Sequence, residues 1–312
     1  MLNVLQRNAT AELTGYFNAH TGVDDIRKLG TIQEWNFNAK NEFYDGKCSK
    51  LYGSTGEFFP PGQTRDKPIA LFTPDMCRSV PFDYEKDVDV HGVTGYRYTG
   101  GARAVDNGTL FPENDCFCGE DCMPSGVMNI SACRYDSPVF MSFPHYYAAD
   151  PFYLNEVEGL MPNKEKHQPF FTIEPTTGAP LEVTARFQAN FLIRPNEDIA
   201  LFQEAPRVII PVMWFEQKFA MDKKMADEIK AALAIPRIGQ MMGLVLILLG
   251  VFLVVLYPVI NLIKPRKSVQ ANGHTIRETD SIDRKEKEAS PLINRTINTQ
   301  ITLAPQQTTS KH

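Results

Sequence analysis

Twenty consecutive residues from 241 to 260, MMGLVLILLGVFLVVLYPVI, carry no charge. A helix rises about 1.5 Å per residue, so a run of this length crosses the roughly 30 Å hydrocarbon layer of a bilayer. A buried core helix rarely needs so long an unbroken stretch, and the segment predicts a transmembrane helix over 238–263. Pro236 suits a helix first turn, and Pro258 falls near the far end, where one lost hydrogen bond is tolerable. Upstream, residues 181–193 alternate. Val183, Ala185, Phe187, Ala189, Phe191 and Ile193 share one face, and Thr184, Arg186, Gln188 and Asn190 share the other. That period of two predicts a half-buried strand with its polar face toward water. Residues 208–215 (VIIPVMWF) read as a second, fully apolar strand with Pro211 as a bulge or edge signal.

Residues 69–72 and 93–99 are short strand candidates flanked by Gly and Pro. Residues 46–61 and 107–124 are rich in turn formers and read as irregular chain. From 222 to 233 the period becomes helical: Met225, Ile229, Ala232 and Leu233 follow Asp222, which is placed as the N-cap. This predicts a short amphipathic helix feeding the membrane, its stripe packed on the domain or lying at the lipid surface. Residues 264–312 are polar with few aromatics and read as a disordered cytoplasmic tail.

All six cysteines, Cys48, Cys77, Cys116, Cys118, Cys122 and Cys133, precede the span. Sequons stand at Asn8 (NAT), Asn107 (NGT) and Asn129 (NIS). An even cysteine count beside sequons points to an oxidising, glycosylating lumen and makes residues 1–237 an ectodomain. Fifteen pairings of six cysteines are possible, and spacing does not choose among them. Lys264, Arg266 and Lys267 outweigh Arg237 across the span, which puts the carboxyl side in the cytosol. The start of the chain, MLNVLQRNATAEL, has no signal-peptide pattern, so the expectation is an amino-terminal portion lying outside this sequence.

The chain carries 32 Lys and Arg against 37 Asp and Glu. Nine of those basic and five of those acidic residues sit in the tail, so the part before the span is acidic and offers no nucleic-acid footprint. No nucleophile elbow, zincin, phosphate-loop or dinucleotide glycine motif occurs, and neither an enzyme nor a cofactor is expected. Cys116, Cys118 and Cys122 lack the paired knuckles or partnered histidines of a zinc site. SFPHYYAAD, with His145 and Asp150, is a polar-aromatic cluster that reads as structural rather than catalytic. In the tail, Glu288, Leu292 and Ile293 fit an acidic dileucine pattern, which an adaptor would seat in apolar pockets beside a basic patch. Asn294 is a sequon on the cytosolic side and should stay bare.

Several ordered segments carry a family resemblance. They are FNAHTG at 17–22, Trp35, CSKLYGSTGEFFPP from Cys48, Cys77-Arg78-Ser79, CFCGEDCMPSGVMNISAC, SFPHYYAADPFY and EPTTGAPL. In these the chain closely resembles the class B scavenger receptors, from about Thr10 to the end of the span, as their membrane-proximal second half. The resemblance implies a mainly β (α+β), antiparallel, barrel-like ectodomain with short helices and a lipid-carrying tunnel. It also implies disulfides Cys48–Cys116, Cys77–Cys133 and Cys118–Cys122. The expected partners are lipids, lipoproteins or other polyanionic or apolar ligands, the membrane itself, and a clathrin adaptor at the tail. The expected location is the plasma or lysosomal membrane. A lysosomal sorting receptor for a lumenal protein is the alternative function, and an adhesion or structural membrane protein the second.

Overall fold

The computed structural model describes residues 15–118 and 122–263, with Asn261 described by its backbone alone. A small sheet pairs β1 (Phe17–Ala19) with β2 (Ile32–Trp35). The larger sheet has eight strands: β3 (Ile69–Thr73), β4 (Arg78–Val90), β5 (Val93–Thr99), β6 (Met128–Asn129), β7 (Val139–Ser142), β8 (Phe170–Ile173), β9 (Pro180–Ile193) and β10 (Val208–Ala220). They run in the order β3-β4-β5-β8-β9-β7-β6, with β10 on β9, and the strand pairings are antiparallel. The predicted strands at 69, 93, 181 and 208 are all present, and the ladder slips between Pro211 and Met213 as a proline bulge requires. Strand β4 has no counterpart in the sequence reading, because Asp83, Glu85, Lys86, Asp87 and Asp89 make its outer half look like loop. A two-residue turn joins β4 to β5, with His91 at φ 51° and Gly92 at φ 81°. This is the left-handed pair that a tight hairpin matching strand twist demands.

Strand β9 is the spine. One edge pairs with β10 along its length, and the other pairs first with β8 and then with β7. Its faces correct the half-buried expectation. Thr184, Arg186, Gln188 and Asn190 are 3, 6, 2 and 0 % exposed; on the apolar face Phe187 and Ala189 are buried too, and Phe191 is 38 % exposed. The polar face is therefore internal. After a short helix α1 (Ala102–Val105) that follows β5, the chain forms α2 (Phe152–Glu156) and α3 (Lys164–His167). The polar face lies beneath the segments around these two, where backbone carbonyls and side chains replace the water that the sequence pattern implied.

Phe72, Val80, Phe82, Tyr98, Phe171 and Ile173 pack in the main core, each large side chain contributing about 1.5–3 kcal/mol of burial. A second cluster gathers Phe140, Tyr146, Tyr153 and Ile209. Arg78 opens β4 inside the protein. Among the described residues its three guanidinium nitrogens have no hydrogen-bond partner, and its charge lies over the Phe117 ring at 3.6 Å. Burial lowers its pKa to about 10, so it stays charged at neutral pH.

Helix α4 (Lys223–Ile263) follows β10. Asp222 caps it, Oδ1 accepting the Met225 N–H at 2.8 Å. The helix runs unbroken through Pro236, so the amphipathic helix and the span expected as two elements are one, and Pro236 lies in its interior. Proline removes one backbone bond there without ending the helix. The stripe is also rotated from the expected one. Ala226 is buried with Val93, Leu181 and Met221, and Ile229 and Leu233 pack against them, whereas Met225 is exposed. The chain divides into two compact units at Gly250, so both sheets belong to the first unit and the last turns of α4 to the second. α4 is long and apolar enough to cross a membrane.

Candidate functional site

Alternation along β9 puts Val183, Ala185 and Phe187 on one face, and the register sets Phe219, Gln217 and Phe215 of β10 directly opposite them. The Phe187 and Phe215 rings meet at 6.1 Å, and Phe143 approaches Phe187 at 6.2 Å. Leu71 and Phe72 of β3 close the other side. Between these strands lies a groove of about 440 Å³ that includes Thr55, Thr73 and Gln217 and, among the described residues, is lined by no charged side chain. An uncharged, apolar concavity of several hundred cubic ångströms favours hydrocarbon over ions.

The opposite face of β9 is a closed hydrogen-bond layer. Arg186 donates to Glu216 at 2.7 Å and to the carbonyls of Glu165 and Gln168 at 2.9 and 2.8 Å. Asn190 donates to Ser142 Oγ at 3.0 Å, and Gln188 Nε2 donates to Asn190 Oδ1 at 2.9 Å while its Oε1 accepts the His145 N–H at 2.8 Å. A polar cleft of about 280 Å³ on this side holds Arg97, Lys164 and Arg186. Each is already paired with a carboxylate, Glu182 and Glu85 at 2.5 Å and Glu216 at 2.7 Å, so an anion would have to displace those partners.

The structure joins Cys48 to Cys116, Cys77 to Cys133 and Cys118 to Cys122, with Cα atoms 5.8, 6.4 and 4.8 Å apart. Every one of the six sulfurs is thereby spent in a disulfide. Asn129 is half-buried, its Oδ1 accepting from Ser131 N–H at 3.0 Å. Asn107 is buried, and its amide nitrogen donates to the Met123 carbonyl, which leaves the atom that would carry a glycan turned into the fold. Asn8, Glu288, Leu292, Ile293 and Asn294 lie outside the described residues. His145 and Asp150 are not brought together. Asp150 Oδ1 accepts from Phe152 N–H at 2.8 Å, while His145 stacks on His167. Neither the groove nor that stack was visible in sequence, because Leu71, Ala185 and Phe219 are far apart along the chain and His167 sits in an unremarkable KEKH segment.

The profile described as the CD36 family matches residues 3–261. The chain is 43% identical to Protein peste of Drosophila melanogaster over 253 residues, 81% of this chain and 46% of that protein. It is 32% identical to Scavenger receptor class B member 1 of Cricetulus griseus over 249 residues, 79% and 48% of the two. With Lysosome membrane protein 2 of Mus musculus it is 32% identical over 250 residues, 79% and 51% of the two. The chain spans about half the length of the curated relatives it matches.

Proposed function

The chain belongs to the CD36 family, and from that premise we propose that it works as a class B scavenger-type membrane receptor that takes apolar cargo, lipid or lipoprotein-borne, along the groove between β3, β9 and β10. The observation that carries this reading is the groove itself: three strands meet in an uncharged concavity open to solvent. Shielding hydrocarbon there gains about 0.8 kcal/mol per CH2, and no covalent chemistry is needed. Residues 1–237 then face the lumen or cell exterior, 238–263 cross the membrane, and 264–312 face the cytosol. The three disulfides form in that oxidising compartment. Asn8 and Asn129 carry glycans there and Asn107, with its amide enclosed, does not.

A second reading, a lysosomal sorting receptor for a lumenal protein, is favoured by the dileucine pattern at Glu288, Leu292 and Ile293, through which a clathrin adaptor would act. The test of the first reading is photo-crosslinking with a diazirine-bearing fatty acid, followed by peptide mapping. Label on the peptides holding Val183 and Phe219, competed away by unlabelled fatty acid, supports it. Label confined to α4 overturns it in favour of simple partition into the membrane segment.

A further inference from the structure

His145 and His167 come from different elements yet stack face to face, their centroids 4.4 Å apart and their planes 8° from parallel. Trp214 of β10 meets both rings edge-on, at 6.5 and 6.0 Å. The backbone around the first ring is strained. His145, Tyr146 and Ala148 have φ of 54°, 55° and 59°, left-handed values that residues with side chains hold only where their surroundings enforce them. Both rings use the same nitrogen in the same way. His145 Nδ1 accepts the backbone N–H of Met161 at 3.2 Å, and His167 Nδ1 accepts that of Asn163 at 2.9 Å. Both donors lie in the segment 157–163 that links α2 to α3. An imidazole accepts at Nδ1 only while that nitrogen is bare, so the geometry requires two neutral rings with the proton on Nε2.

We infer that the His145–His167 stack is an acid-released clasp, which fastens segment 157–163 to the sheet at neutral pH and frees it in an acidic compartment. Protonating the His167 Nδ1 sets a donor against the Asn163 N–H, removes that bond and places an imidazolium against the stacked His145 ring, 4.4 Å away between centroids. The charges around His167 oppose imidazolium on balance. Lys166 and Glu165 share α3 with His167, and Arg186 approaches from β9, while Glu216 of β10 is held by Arg186 at 2.7 Å and by Lys218 at 2.8 Å. Gln188 of β9 and Trp214 of β10 are uncharged, and the Glu165 carbonyl is already taken by Arg186. Burial first, then His145, Arg186 and Lys166, hold His167 below its ordinary value of 6.5. A group with a lowered folded pKa stabilises fully above its unfolded value when the neutral form is the bonded one. The clasp is therefore intact above about pH 6.5 and weakens as the pH falls below it. Opening would uncover Leu160, which packs on the cluster around Tyr146 and Tyr153. None of this depends on the lipid-binding reading.

The test is amide hydrogen exchange on the full chain in detergent micelles, compared at about pH 7.4 and about pH 5 after correction for intrinsic rates. The Met161 and Asn163 amides should lose about fivefold protection for each bond released, while Phe171 and Thr172 of β8 keep theirs. Trp214 emission should fall in step, because imidazolium quenches indole. The double variant His145→Asn/His167→Asn keeps an acceptor oxygen near each Nδ1 position and does not titrate, so its segment should stay protected at both pH values. An unchanged wild-type segment at acid pH overturns the clasp, as does an equal acid response in the double variant. Should the double variant fail to fold, the wild-type contrast between residues 161 and 163 and strand β8 still decides.

Discussion

The two faces of β9 are buried by different means. Its polar face is enclosed in a hydrogen-bonded layer, and its apolar face packs Phe187 and Ala189 into the main core while Val183 and Ala185 border an open groove. The polar side fixes where α3 and the Pro144–Tyr146 turn sit, through hydrogen bonds made by Arg186 and Gln188. Among the described residues, the groove on the other side is lined by no charge. On the proposed function, separating the two jobs across one pleated strand would let the receptor keep a hydrocarbon-compatible surface on a rigid backing. Damage to the two faces should therefore show in different measurements: polar-face variants in stability, groove variants in ligand affinity with stability spared.

The largest effect belongs to Arg186→Ala. It strips donors from the Glu165 and Gln168 carbonyls and releases Glu216, and should destabilise by about 3 kcal/mol in chemical denaturation. Gln188→Leu comes next. The His145 N–H loses its acceptor and Asn190 loses a donor, for about 2 kcal/mol, with lipid binding unchanged in the protein that remains folded. Ala185→Trp should do the reverse. It fills the groove opposite Gln217, changes stability by less than about 1 kcal/mol, and weakens fatty-acid binding about tenfold by fluorescence titration. Equal stability losses at Ala185 and Arg186 would dissolve the contrast between the faces.

The position of β9 was legible because alternation survives in sequence, and the bulge in β10 because proline cannot donate to a ladder. That the polar face is buried as well was not legible. Polar residues read as wet unless their partners are known, and these partners lie 18 residues away at Gln168 and 48 away at Ser142. The Asp222 cap could be read locally, since its acceptor and donor sit three residues apart. The continuation through Pro236 could not, because a lost bond alone does not say whether the remaining turns hold. The groove needs three strands to converge. Its residues look in sequence like ordinary core.

The smallest effect is the acid response of the polar face, and it sharpens the comparison most finely. Lys218 at 2.8 Å is the main cause that holds the Glu216 carboxyl below its ordinary value of 4.5; burial opposes it, and Arg186 at 2.7 Å adds to the lowering. A carboxylate with a lowered folded pKa adds stability that is present above its unfolded value and is lost as the pH falls through the folded one. Glu216 is open to solvent, so its contribution is screened and should stay below about 1 kcal/mol. Between about pH 6 and about pH 3, denaturation midpoints should fall more steeply for wild type than for Glu216→Gln, and about 1 M salt should shrink the gap. Ala185→Trp should keep the wild-type slope, because among the described residues no titrating group lines the groove. A Glu216→Gln slope equal to wild type would move the acid sensitivity of this face away from the Arg186 pair. A changed slope in Ala185→Trp would show that the two sides of β9 are energetically one.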